Sequence, residues 1–179
     1  MLQVIDSVMR IMPNCGMKQQ FSRKRLKAQG FVGWVPFDYL RDADPCPTAG
    51  GVYVVGRADL SAPCFLDRSC GGWFKDRDPT VAREQLVANW VEDAEIVYIG
   101  KANNLRRRLR EFAKCGAGHK IGHWGGRLIW QLEESPALLV AWKETPRLDP
   151  AAEEANLIAK FRSAYGQPPF ANDPHRLGA

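Results

Sequence analysis

The stretch Glu95-Ile-Val-Tyr-Ile-Gly100-Lys-Ala-Asn-Asn-Leu105-Arg-Arg-Arg-Leu-Arg110-Glu-Phe-Ala-Lys114 decides how this 179-residue chain is read. Its first half is β-branched and aromatic and ends on a glycine, which predicts a strand over 95–100. Asn103 or Asn104 then supplies an N-cap for a helix from Leu105 to Lys114. Leu105, Leu109 and Phe112 fall at i, i+4 and i+7 and make one apolar stripe, leaving the arginines on the opposite face.

Upstream, Gly50-Gly-Val-Tyr-Val-Val-Gly56 is a second β-branched run bounded by glycines and reads as another strand. Between the two, residues 57–77 have little period, and Asp78-Pro79 carries the N-cap and first-position pattern of a helix running towards Trp90. That helix is expected to bury Val81, Leu86 and either Trp90 or Val87. Downstream, glycines make 115–126 a loop, and Arg127 to Leu132 is ambiguous between strand and helix. Leu138 to Lys143 reads as a strand, and Pro150 opens a last helix over 151–165 with Leu157, Ile158 and Phe161 inward.

Charge is unevenly placed. The chain has 25 basic and 20 acidic residues, a net of +5. Residues 101–127 hold Lys101, Arg106, Arg107, Arg108, Arg110, Lys114, Lys120 and Arg127 against the single acid Glu111, so this segment carries +7 and the rest −2. A positive field beside Trp124 and Trp130 suits a polyanion whose bases or sugars stack on aromatic rings.

Several classes are excluded. No apolar run approaches the roughly 18–20 residues of a bilayer span. The residues from Met1 to Met12 include Asp6 and lack the pattern of a secretory leader, which predicts a cytoplasmic protein. Its five cysteines, with no CxxC pair, are then expected to stay reduced. Cys115-x3-His119-x3-His123 has helical spacing, but the intervening glycines and the missing fourth ligand argue against zinc. Gly100-Lys101 lacks the glycine and the hydroxyl residue of a P-loop, so no nucleotide cofactor is expected.

Three elements taken together carry a family resemblance. Gly51-Val52-Tyr53, then Tyr98-Ile99-Gly100, then Lys101-Ala-Asn-Asn-Leu-Arg-Arg-Arg108 resembles the GIY-YIG nuclease superfamily, and most of all the incision nuclease of bacterial excision repair. Glu154-Ala-Asn-Leu-Ile158 resembles the helix that carries the family's metal-binding glutamate. Pro168-Pro-Phe-Ala-Asn172 resembles its closing segment. The first motif departs by Val52 in place of isoleucine, and its strand lies far from the second, which implies an inserted lobe over 57–94. The resemblance implies an α/β (α+β) domain over 48–179, with a central, mostly antiparallel three-stranded sheet flanked by helices. Residues 1–47 would form an N-terminal extension.

The implied activity is a metal-dependent DNA endonuclease that leaves 5′-phosphate and 3′-hydroxyl ends. Phosphodiester hydrolysis needs an activated water, neutralisation of the transition state and a Lewis acid near the leaving oxygen. Tyr53 is the candidate base, but a phenol near pKa 10 needs an adjacent cation, Lys101 or Arg108, to favour the phenolate. Arg108 suits a two-point phosphate clamp, and Tyr98 would bond the phosphate or the attacking water. Glu154 would hold one Mg²⁺ or Mn²⁺. His123 is a candidate auxiliary proton-transfer group or substrate contact, and Asn172 suits pinning backbone more than chemistry. Arg106, Arg107, Arg110, Lys114, Lys120, Arg127 and Trp124 are the expected DNA contacts. Two other readings stand beside this one: a binding module of the same fold without turnover, and a subunit docking a partner protein through Phe31, Trp34 and Phe37.

Overall fold

A computed structural model describes residues 15–172. It is mixed α and β, with one four-stranded antiparallel sheet. The strands are β1 (Val32–Pro36), β2 (Gly51–Gly56), β3 (Ile96–Ala102) and β4 (Leu139–Glu144), in the spatial order β1-β4-β2-β3. The helices are α1 (Cys15–Gln19), α2 (Arg23–Ala28), α3 (Phe37–Asp42), α4 (Arg83–Asn89), α5 (Leu105–Gly116) and α6 (Pro150–Tyr165). The ambiguous stretch after the glycine loop is a 3-10 helix, Arg127–Gln131. Among the described residues, no helix is long and apolar enough to cross a membrane.

β2 lies between β4 and β3, and every one of its residues is buried. That position explains a near-continuous apolar run where an edge strand would alternate. Successive side chains go to opposite faces. Tyr53 and Val55 join Leu105, Leu109 and Phe112 of α5 and Phe37 and Leu40 of α3. Val52 and Val54 join Leu157, Ile158 and Phe161 of α6, with Phe21, Leu26 and Phe31. β2 pairs with β3 in a register that sets Tyr53 opposite Gly100 and Val55 opposite Tyr98. The pairing therefore closes across residues 57–95, in keeping with the slow logarithmic growth of loop-closure entropy.

Three expectations are corrected. The sheet has four strands, not three: residues 32–36, placed by sequence in an extension, pair with β4. Gly33 and Trp34 both take positive φ where the register shifts, and the missing Cβ of Gly33 leaves room for the Trp142 ring. Such a bulge breaks the period-2 pattern by which a strand is read. α4 begins at Arg83, not at Pro79. The Asp78 carboxylate accepts from the Thr80 N–H at 2.8 Å, and the Val81 N–H donates to the Gln131 side chain at 2.7 Å. These bonds hold 78–81 out of the helix, which buries Leu86 and leaves Val87 exposed. Finally, of the three aromatic residues expected to dock a partner, Phe31 and Phe37 are core residues at 2% and 4% exposure, and Trp34 is half-buried. The amphipathic stretch Leu2 to Met12 lies outside the described residues.

Candidate active site

Tyr53 sits at the middle of β2, fully buried, and faces Gly100 across the β2–β3 ladder. A Cβ at position 100 would lie 2.5 Å from the Tyr53 ring and 2.9 Å from Tyr98. Glycine there is what allows two tyrosines to share one face of the sheet, with ring centroids 5.9 Å apart. α5 closes over them. Its Phe112 ring lies 6.3 Å from Tyr53 and 5.6 Å from Tyr98.

His123 arrives from the glycine-rich loop after α5 and lies flat on Phe112, with centroids 3.6 Å apart. Its Nε2 is 3.2 Å from the Tyr53 hydroxyl. Burial, reinforced by the positive charge of Arg108, holds the imidazole well below its ordinary pKa, so the ring is neutral. Its buried Nδ1 makes no hydrogen bond among the described residues. The Tyr53–His123 contact is therefore the principal polar link of this ring.

α5 starts where the sequence says it should, with the Asn104 side chain accepting from the Arg107 N–H. One turn in, Arg108 reaches the tyrosines. Burial lowers its pKa, but the contacts with Tyr53, Tyr98 and Glu111 outweigh that and raise it. Burial pushes the Tyr53 phenol up, and the nearby Arg108 cation pulls it back only in part. Tyr98, also buried, is raised further. Arg108 is thus the cation next to the candidate base, yet the resting phenol remains neutral. Lys101 acts elsewhere, on Glu154.

Glu154 lies in the first turns of α6, on the same edge of the sheet as Lys101, and is half-buried. Burial raises its carboxyl pKa against the pull of Lys101, Arg108 and the Lys101 backbone N–H. Among the described residues, no group of three or more His, Cys, Asp or Glu is arranged to cage a metal. Glu154 is a single hard oxygen donor. That suits Mg²⁺ or Mn²⁺ completed by water and substrate phosphate, not a closed site.

Asn172 stands apart from this chemistry. Its amide accepts from the Ile99 N–H at 2.9 Å and donates to the Ile99 carbonyl at 2.7 Å. With the Ala171 N–H on the Val97 carbonyl, it covers the outer edge of β3, a backbone-pinning place and not one among the candidate catalytic groups.

The expected DNA contacts separate into groups. Arg107 is exposed beside Glu111, and Lys120 is exposed on the loop. Lys114 lines a groove along α5 with Arg106, Arg107 and Arg110. Arg106 and Arg110 both meet Asp44, the latter at 2.7 Å, and Arg106 also donates to the Cys46 carbonyl. Arg127 is buried, with its guanidinium 4.9 Å from the Trp124 ring. Asp44, not among the residues expected at this surface, neutralises part of the basic row from far along the chain. Its only visible signal is the acid-rich Asp42-Ala-Asp44 turn. Compared with models of known protein families, with curated proteins and with solved structures, the chain matches none.

Proposed function

We propose that the chain is a divalent-metal-dependent DNA endonuclease of GIY-YIG type. The observation that supports this reading is the Tyr53 hydroxyl on the His123 Nε2, from β2 and the loop, with Arg108 of α5 and Glu154 of α6 near enough to act electrostatically on the phenol. Tyr53 takes a proton from the attacking water as its own moves to the His123 Nε2, a transfer that the negative charge of the bound phosphate has to favour, because without it burial and Arg108 keep the imidazole neutral. Arg108 donates to the phosphate oxygens as charge builds on them, a role worth about 10²–10³ in rate for a single lost donor. Tyr98 holds the water or phosphate in line. Glu154 would hold the divalent ion, whose Lewis acidity would then stabilise the leaving oxygen.

The test is cleavage of supercoiled, branched and single-stranded DNA with Mg²⁺ or Mn²⁺ by the wild type, Glu154→Ala and Arg108→Ala. Cleavage by the wild type alone supports the proposal, whereas no cleavage, or equal cleavage by all three, refutes it. One observation favours the turnover-free binding module instead: Tyr53 is neutral and fully buried. That alternative predicts salt-dependent DNA binding indifferent to Glu154 and no product.

A further inference from the structure

The insertion between β2 and β3 contributes a small hairpin whose purpose the catalytic reading leaves open. Phe74 and Arg77 exchange both backbone hydrogen bonds, at 3.2 and 3.1 Å, around a two-residue tip, Lys75-Asp76. Both tip residues have positive φ, 51° and 57°, as a tight hairpin turn demands, although neither is glycine or asparagine. The hairpin is seated on the loop that carries His123. The Gly72 N–H donates to the Cys115 carbonyl, and the Phe74 ring fills the space that a Cβ on Gly122 would need.

Phe74, Lys75, Arg77 and Trp124 line a cleft of about 360 Å³ between hairpin and loop. Two rings and two cations share it. The nearby acids, Asp76 and Asp78, are not among its lining residues, and the guanidinium of Arg127 lies 4.9 Å from the centre of the Trp124 ring. Trp124 directly follows His123, whose Nε2 touches the Tyr53 hydroxyl. The cleft and the candidate hydrolytic centre are thus joined by one loop.

We infer that this cleft holds an unpaired nucleobase of a single-stranded DNA segment, with Lys75 and Arg77 on the flanking phosphates. Aromatic rings stack on the π-face of any base, and cations placed next to them track the backbone. A base kept within a duplex hides that face between its neighbours. This inference deepens the nuclease reading by naming its substrate class: DNA with an unpaired stretch at the cut, such as a strand end, a flap or a branch.

The test is binding in EDTA, so that cleavage plays no part. A fluorescein-labelled oligothymidylate, an abasic strand with the same number of phosphates and a duplex of the same length are titrated with the full chain and followed by anisotropy. Oligothymidylate should bind about tenfold or more tightly than either comparator. Trp124→Ala should erase that preference, whereas Lys75→Ala should weaken oligothymidylate and abasic strands alike. Equal affinity of the wild type for oligothymidylate and the abasic strand overturns the inference, whether or not a variant folds. Absence of cleavage with metal, with the base preference intact, counts against the nuclease reading alone.

Discussion

The two faces of α5 do opposite things with the same residue type. On the inner side, Arg108 acts electrostatically on two buried phenols, and burial is the largest influence on the protonation of both. On the outer side, Arg107 is exposed and Arg106 and Arg110 are half-buried, the three bridged to Asp44 and Glu111. Electrostatic effects are strong where water is excluded and weak where salt and water screen them. A run of three arginines thus divides into one residue suited to chemistry and neighbours suited to attraction and positioning.

The largest break in that comparison is expected from single arginine removals. Arg108→Ala should lower the cleavage rate about 10²–10³-fold, with little change in DNA affinity. Arg107→Ala should leave turnover within about threefold and reduce the salt dependence of binding by roughly one phosphate's worth. Initial rates and salt titrations of the two variants make the check. If Arg107→Ala costs as much turnover as Arg108→Ala, the two faces are not functionally distinct.

A second break falls on packing. Gly100→Ala places a methyl group against both tyrosine rings and should destabilise the domain by about 1–3 kcal/mol through overpacking. Urea unfolding reads this directly, and a neutral result would mean that the tyrosine pair is looser than described.

The third concerns pH. His123 has a folded pKa well below 6.5, so below about pH 6.5 the unfolded chain takes up a proton that the folded chain refuses. Stability present above that value is lost as pH falls, by up to about 1.4 kcal/mol per pH unit from this group. Glu154, raised from 4.5, works in the opposite sense, its contribution being lost as pH rises through the folded value. Unfolding profiles of the wild type and His123→Gln share the Glu154 effect, so the variant should show a shallower loss between pH 6.5 and 5. Parallel curves would place the imidazole in water.

The smallest effect is expected outside. Asp44→Asn frees Arg106 and Arg110 from their carboxylate and should raise DNA affinity a few-fold at low salt, with a stability change of about 0.5 kcal/mol or less. The residue has φ of 52°, which asparagine tolerates. Unchanged binding in titrations of this variant would mean that the row does not face DNA.

Local sequence carried much of this arrangement. Glycine-bounded β-branched runs announced β2 and β3, Asn104 and the Leu105, Leu109, Phe112 stripe announced α5, and Asp149-Pro150 stands at the start of α6. Once those elements are placed, the position of Arg108 one turn into α5 follows from helical geometry. What was illegible depends on contacts distant in sequence. β1 is disguised by a bulge, α4 is shortened by Gln131, fifty positions away, and Asp44 reaches arginines about sixty residues on. The balance on Tyr53 was also beyond the sequence, because charge can be counted there but burial cannot.

The most direct measurement is single-turnover cleavage by Tyr53→Phe, which deletes one hydroxyl and preserves the ring that packs on Phe112. With DNA affinity and unfolding midpoint close to wild type, the rate should fall at least a hundredfold, by analogy with other lost transition-state groups. A variant that binds equally well and still cuts at the wild-type rate would show that the phenol is only a core residue and that the Tyr53–His123 contact carries no proton.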